Sequence, residues 1–233
     1  MQIFVEYPYL LGSLILLLIA ILLFVFLPRH RELLAYAFLF SIPSGLLSYL
    51  FVPAYWNPRF TFHYLSSPED LMFSASTGTI ACAIAFVSFG AQRTMRLDVR
   101  KALRRIAATL IAMLLTLEIL LHSIFDATDV MRVVLATMAL VGVYVLSRHR
   151  ELLRLSVISA TGFLLFYGVW LGSLKLTIWP HLLEAWNPAA QLPFLILGLP
   201  AFELAWAFLF GAVWPVFFVW CCEPVSEPVK DTR

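Results

Sequence analysis

The sequence predicts an all-α polytopic membrane protein with seven transmembrane helices. They are expected as two parallel three-helix repeats joined by one linking helix (3+1+3), N-terminus outside and C-terminus inside. Three observations predict it: an apolar composition beyond what a water-soluble globule can bury, stretches of bilayer-spanning length, and motifs that recur in order. Of 233 residues, 62% are hydrophobic and only 13% charged, and the mean hydropathy is +0.90. The net charge of +2 is uninformative beside the placement of the charges. The expected surroundings are a lipid bilayer, in a multi-pass cell-membrane protein, with no nucleic-acid partner.

A spanning helix needs about 20 apolar residues, because no backbone polar group can stay unpaired in hydrocarbon. Seven stretches meet that test, near residues 7–27, 33–55, 68–90, 104–125, 129–147, 152–173 and 199–221. The end of the sixth is the least defined, since apolar character continues past Lys175 to Trp179. The first lacks the basic flank of a cleavable signal, carrying Glu6 instead, and is expected to stay attached.

Basic residues set the orientation. With the first loop in the cytoplasm, that side holds Arg29, Arg31, Arg93, Arg96, Arg100, Lys101, Arg104, Arg105, Arg148, Arg150, Arg154, Lys230 and Arg233. The other side holds only Arg59, Arg132 and Lys175, a strong positive-inside bias that requires an odd number of spans.

The duplication is legible by eye. Arg29-His30-Arg31-Glu32-Leu33-Leu34 recurs unchanged at Arg148-His149-Arg150-Glu151-Leu152-Leu153. Trp56-Asn57-Pro58 recurs as Trp186-Asn187-Pro188, and Asp70-Leu71-Met72-Phe73 is echoed by Glu203-Leu204-Ala205-Trp206. The expected units are a first repeat at 1–92, a linking helix at 93–127, a second repeat at 128–223 and a polar cytoplasmic tail at 224–233. In such folds the functional cavity commonly lies between the repeats.

An acid at the membrane centre costs about 2.5–3.5 kcal/mol on insertion scales, so each needs a partner, a wet cavity or a role. The candidates are Glu69 and Asp70 opening the third span, Glu118 and His122 in the fourth, and Glu203 in the seventh. Ser67-Pro68-Glu69-Asp70 also reads as an ordinary helix start: Ser as N-cap, Pro at the first position, acids complementing the dipole. Glu203 has no charged neighbour in sequence, which suits a carboxyl that holds a proton as a general acid. Glu118 and His122 share one helix face with Asp126 beyond them, and either relay protons or satisfy each other.

Most aromatics read as packing, with Trp56 and Trp186 in an interfacial belt. Phe73 and Trp206 each follow a duplicated acid by three residues, where an aromatic face can stabilise a cation. Gly168-Val169-Trp170-Leu171-Gly172 and the small residues from Ser74 to Ala85 predict close helix contacts. Cys82, Cys221 and Cys222 have no metal-ligand spacing and read as inert rather than as a lipidation site.

These residues resemble the lycopene cyclase domain family of flavin-independent membrane cyclases. Its three-helix repeats each carry an outer-loop Trp, then a Pro-x-Glu-Glu-type acidic motif and aromatics. The matching residues are Trp56-Asn57-Pro58 with Ser67-Pro68-Glu69-Asp70 and Phe73, and Trp186-Asn187-Pro188 with Pro200-Ala201-Phe202-Glu203 and Trp206. Ser67 replaces the usual proline, and Phe202 stands where the first acid of the second pair belongs. The resemblance implies a redox-neutral ring closure of a linear carotenoid polyene. Glu69, Asp70 and Glu203 would be acid and base, Phe73 and Trp206 would stabilise the cation, and no cofactor or metal is needed. The sequence agrees in having neither a GxGxxG nor a P-loop motif. Glu118 and His122 are further substrate-binding candidates from the residues alone.

Two rivals share the architecture: a small-solute transporter of 3+1+3 plan, and a non-catalytic isoprenoid-binding relative favoured by Phe202. A retinal protein is disfavoured, because Lys101, Lys175 and Lys230 all lie outside the spans proper.

Overall fold

A computed structural model describes residues 6–61, 66–89 and 99–222. Arg93, Arg96, Lys230, Arg233 and the expected 224–233 tail lie outside the described residues, as does the side chain of Cys222. Among the described residues the regular structure is helical apart from one short hairpin: α1 (Pro8–Phe26), α2 (Arg31–Ser41), α3 (Ser48–Phe51), α4 (Pro68–Phe89), α5 (Val99–Ser123), α6 (Val130–Arg148), α7 (Leu153–Thr177) and α8 (Ala201–Cys222). The antiparallel hairpin β1 (Leu195–Ile196) and β2 (Leu199–Pro200) precedes α8.

Among the described residues, six segments are long and apolar enough to cross a bilayer: Pro8–Phe26, Pro28–Phe51, Pro68–Ser88, Ala127–Arg148, Arg150–Thr177 and Ala201–Cys221. The outer faces of α6 and α7 expose Leu140, Val143, Leu165 and Val169 at helical spacing, apolar stripes that water would penalise and lipid accepts. The chain is therefore a helical membrane protein. α5 is not among these six; its first turns carry Arg100, Lys101, Arg104 and Arg105.

The second span departs from the single helix expected over 33–55. It breaks after Ser41 into a 3₁₀ segment, Ile42–Leu47, and α3 ends at Phe51. Pro43 cannot donate to the helical ladder, and Gly45 lies so close to α4 that a Cβ there would sit 2.9 Å from the Asp70 carbonyl oxygen. The break carries Ser44 and Ser48 to the wall of a cavity. The sixth span runs on to Thr177, using the apolar continuation visible in the sequence.

Both copies of Arg-His-Arg-Glu-Leu-Leu fall at a tight helix–helix junction containing a 3₁₀ turn, Pro28–His30 in the first and Arg150–Leu152 in the second. The Trp-Asn-Pro copies meet each other. The Asn57 amide donates to the Ala185 carbonyl at 2.7 Å, and the Asn187 amide donates to the Tyr55 carbonyl at 3.0 Å. Trp56 and Trp186 form the β-bridge between these loops, their ring centroids 4.6 Å apart. The interfacial-belt reading of these two residues is corrected: Trp186 is buried and Trp56 packs on it, because the paired loops fold them inward.

α4 and α8 are the most buried spans. The small residues of α4 deliver the close contact expected of them: Ser76, Thr77, Thr79, Ala81, Cys82 and Ala85 are buried. The Gly168/Gly172 pair does not. Nothing lies within 4 Å of a Cβ at Gly172, and the nearest atom to one at Gly168 is Leu204 Cδ2 at 3.7 Å. The close approach of α7 to α8 is instead made by Gly211, where a Cβ would meet the Ser159 carbonyl oxygen at 2.8 Å. Hydroxyls bind this core together, Ser156 donating to the Ala212 carbonyl at 2.9 Å and Ser159 to the Ala81 carbonyl at 3.2 Å.

Candidate active site

The start of α4 is fixed by its own sequence. The Ser67 hydroxyl accepts from the Asp70 amide at 3.1 Å, and the Asp70 carboxylate accepts in return from the Ser67 amide at 3.2 Å and hydroxyl at 2.9 Å. This reciprocal cap, with Pro68 at the first helical position, is the helix start that the sequence indicates. It leaves Asp70 Oδ1 free to accept a 2.8 Å hydrogen bond from the Tyr9 phenol on α1. Capping and facing the interior are thus compatible for one side chain.

Glu203 sits in the first turn of α8 and is held from three directions. Tyr55 donates to Oε1 at 2.7 Å, the Trp186 indole N–H to Oε1 at 3.1 Å, and Tyr167 to Oε2 at 2.8 Å. Among the described residues neither Asp70 nor Glu203 pairs with a cation. Hydrogen bonds from neutral donors replace the water that each carboxyl loses on burial. The Tyr55 phenol, outside the spans, is pushed above the ordinary tyrosine value, first by burial and then by the Glu203 charge.

Asp70 and Glu203 line one cavity of about 230 Å³ between the two halves of the chain. Phe73 and Trp206 line it too, stacked on each other with centroids 5.9 Å apart and planes inclined at 29°. The duplicated acids thus line one cavity, and their aromatics stack on each other. Tyr9, Tyr167 and Trp170 complete the ring wall around Phe73, with centroids at 6.3, 6.3 and 6.0 Å.

The other candidates lie elsewhere. Glu69 is fully buried, but its Oε1 accepts from the amide of Thr61 at 2.9 Å and from the Thr61 hydroxyl, and the residue is absent from the cavity wall. Glu118 accepts from the Tyr49 phenol and lies 3.6 Å from His122 Nε2, whose side chain is 80% exposed. Neither Glu118 nor His122 lines the cavity. The pair stands at ion-pair distance, and the hydrogen bond that Glu118 accepts comes from Tyr49.

Phe202 also lies off the cavity wall, under the guanidinium of Arg132 at 5.7 Å from the ring centroid. Its counterpart by motif is Glu69, equally off the wall. The missing acid of the second motif therefore removes nothing from the cavity. The cavity-facing acid of each copy is the second one.

Comparison of the chain with protein-family models, with curated proteins and with solved structures returns no match in any of the three.

Sequence reasoning missed the tyrosines. Tyr9, Tyr55 and Tyr167 were expected only among the general aromatic packing, yet each hydroxyl serves an acid. The available signal was the hydroxyl itself, since a tyrosine within or beside an apolar span must find a partner for it.

Proposed function

We propose that this protein is a membrane-embedded isomerase of the lycopene cyclase type, closing the end of a linear carotenoid polyene into a ring without net redox change. The observation that carries the reading is the pair of buried carboxyls, Asp70 and Glu203, on the wall of one cavity lined otherwise mainly by aromatic and aliphatic side chains. No water-soluble substrate suits such a wall, and a hydrocarbon offers carboxyls no chemistry except proton transfer.

In this reading one carboxylic acid gives its proton to the terminal carbon–carbon double bond, and the electron pair of that bond forms the new C–H bond. The resulting cation is attacked by the next suitably placed double bond, which closes a six-membered ring and moves the positive charge into it. The other carboxylate removes a ring proton, and that C–H electron pair becomes the ring double bond. Substrate and product have the same formula. In the same reading Phe73 and Trp206, which line the cavity together with the acids, are the aromatic side chains that stabilise the cation. The tyrosines and the Trp186 indole fix the carboxyls before substrate arrives.

The same reading includes membership of that family, a seventh span formed by α5 and a 3+1+3 repeat with the N-terminus outside. α5 has 25 residues, about 37 Å of helix, enough to cross a bilayer of about 30 Å. The decisive experiment is expression in a lycopene-making host with chromatography of the pigments. Cyclised product is expected; lycopene alone, with the protein present in the membrane, overturns the enzymatic reading.

A further inference from the structure

The cavity is not a round chamber. Its wall follows α8 through Glu203, Trp206, Phe210, Trp214 and Phe217, residues spaced to share one helix face. From Glu203 to Phe217 is about four turns, or about 21 Å of helix. A second stretch of wall follows α6 through Met131, Val134 and Met138. The two helices keep level: Arg132 lies over Phe202 near the acids, and a Cβ on Gly142 would meet Val213 Cγ2 at 2.8 Å deeper in. A volume of about 230 Å³ drawn out over that length is a slot.

Its chemistry is graded along its length. Both acids and the paired Trp56 and Trp186 stand at one end. Farther along, the Thr77 hydroxyl is spent on the Phe73 carbonyl oxygen at 2.8 Å. The rings of α8 stack on one another, Trp206 on Phe210 at 5.0 Å and 21°, Phe210 on Trp214 at 5.7 Å and 6°. Rings whose faces cover each other turn their edges to the slot. Aromatic edges are positive and attract the electron-rich face of a conjugated chain.

We infer that the slot takes a linear unsaturated hydrocarbon end first, its terminus between Asp70 and Glu203 and its tail along the ring edges of Trp206, Phe210, Trp214 and Phe217. α8 is then the ruler of the site, and Val213 on α8 and Met138 on α6, both on the slot wall, set how far a chain can be inserted. This rests on the ring-closure reading only for which part of the chain reacts, and the slot binds whether or not chemistry follows.

The test separates the two. The Asp70→Asn/Glu203→Gln double variant is purified from lycopene-making cells, and the lycopene retained per protein is measured by absorbance. Retention is expected, and it is expected to fall roughly tenfold or more when Met138→Trp or Val213→Trp is added, since filling a bound volume of that size removes its contacts. Val143→Trp, at an exposed position on α6, serves as the control and is expected to retain lycopene. Two plugs on different helices guard against one that fails to fold, checked by circular dichroism and gel filtration in detergent. A folded plug variant that retains lycopene as the double variant does overturns the inference. So does the absence of lycopene from every variant. Retention that is lost in both plugs, in a protein that makes no cyclised pigment, upholds the slot and removes the enzyme.

Discussion

The phenol of Tyr55 donates a 2.7 Å hydrogen bond to Glu203, a residue 148 positions later in the chain. The two belong to different copies of the duplicated motif set, and the bond is possible because the Asn57 and Asn187 amides lace the two outer loops together. Tyr55→Phe keeps the ring and removes the donor, leaving Glu203 Oε1 with the Trp186 indole alone. The expected loss is about 0.5–3 kcal/mol of stability, the range for a hydrogen bond to a neutral or charged acceptor, with reduced pigment conversion. Thermal unfolding in detergent measures the first and chromatography the second.

The same residue has an alkaline signature. Burial, and then Glu203, raise the Tyr55 phenol above its ordinary value. A group whose folded pKa is raised contributes stability that is whole below its unfolded value, about 10, and that is lost as pH rises toward the folded value. Wild-type stability is therefore expected to fall above about pH 10, and more steeply than that of Tyr55→Phe. Equal slopes in denaturation scans at several alkaline pH values would count against the buried hydrogen-bonded phenol.

The acids separate by the direction they face. Asp70→Asn and Glu203→Gln each remove a cavity-facing carboxyl, and conversion is expected to fall by about 10²–10⁴, the usual span for general acid–base groups. Glu69→Gln keeps an oxygen to accept from Thr61 and is expected to retain most of the conversion. Pigment ratios normalised to protein in the membrane decide this. A dead Glu69→Gln with a live Asp70→Asn would reverse the assignment.

Ser67 has a double duty, capping α4 and donating to Asp70. Ser67→Ala is expected to cost about 0.5–2 kcal/mol as a lost N-cap and to lower conversion as well, because Asp70 loses a donor that holds it. Ser67→Thr retains the hydroxyl and should recover both, which a purely steric role for Ser67 would not predict.

Glycines give a test of the packing. Gly211→Ala pushes a methyl group against the backbone of α7, with Ser159 O at 2.8 Å and Ala160 Cα at 3.1 Å, and is expected to destabilise by about 1–3 kcal/mol. Gly172→Ala meets nothing within 4 Å and is expected to be neutral or stabilising by up to about 1 kcal/mol through helix propensity. Unfolding midpoints of the two variants in the same detergent measure the contrast.

The sequence by itself determined the class of the molecule and the extents of most of its helices, because runs of apolar residues and repeated strings are local and need no knowledge of the fold. It also marked Asp70, Glu203, Phe73 and Trp206, since an acid or a repeated aromatic in an apolar run stands out against its neighbours. Tertiary structure alone decided which acids face inward. Glu69 and Asp70 are adjacent in sequence and diverge by about 100° around α4, so only the packing of α1 and the outer loop could send one to Thr61 and the other to Tyr9. The same holds for the glycines, where a GxxxG spacing pointed to Gly168 and Gly172 while the close approach fell to Gly211. A hydrogen bond between Tyr55 and Glu203 has no local signature at all, for it exists only once two distant loops have been brought to one place.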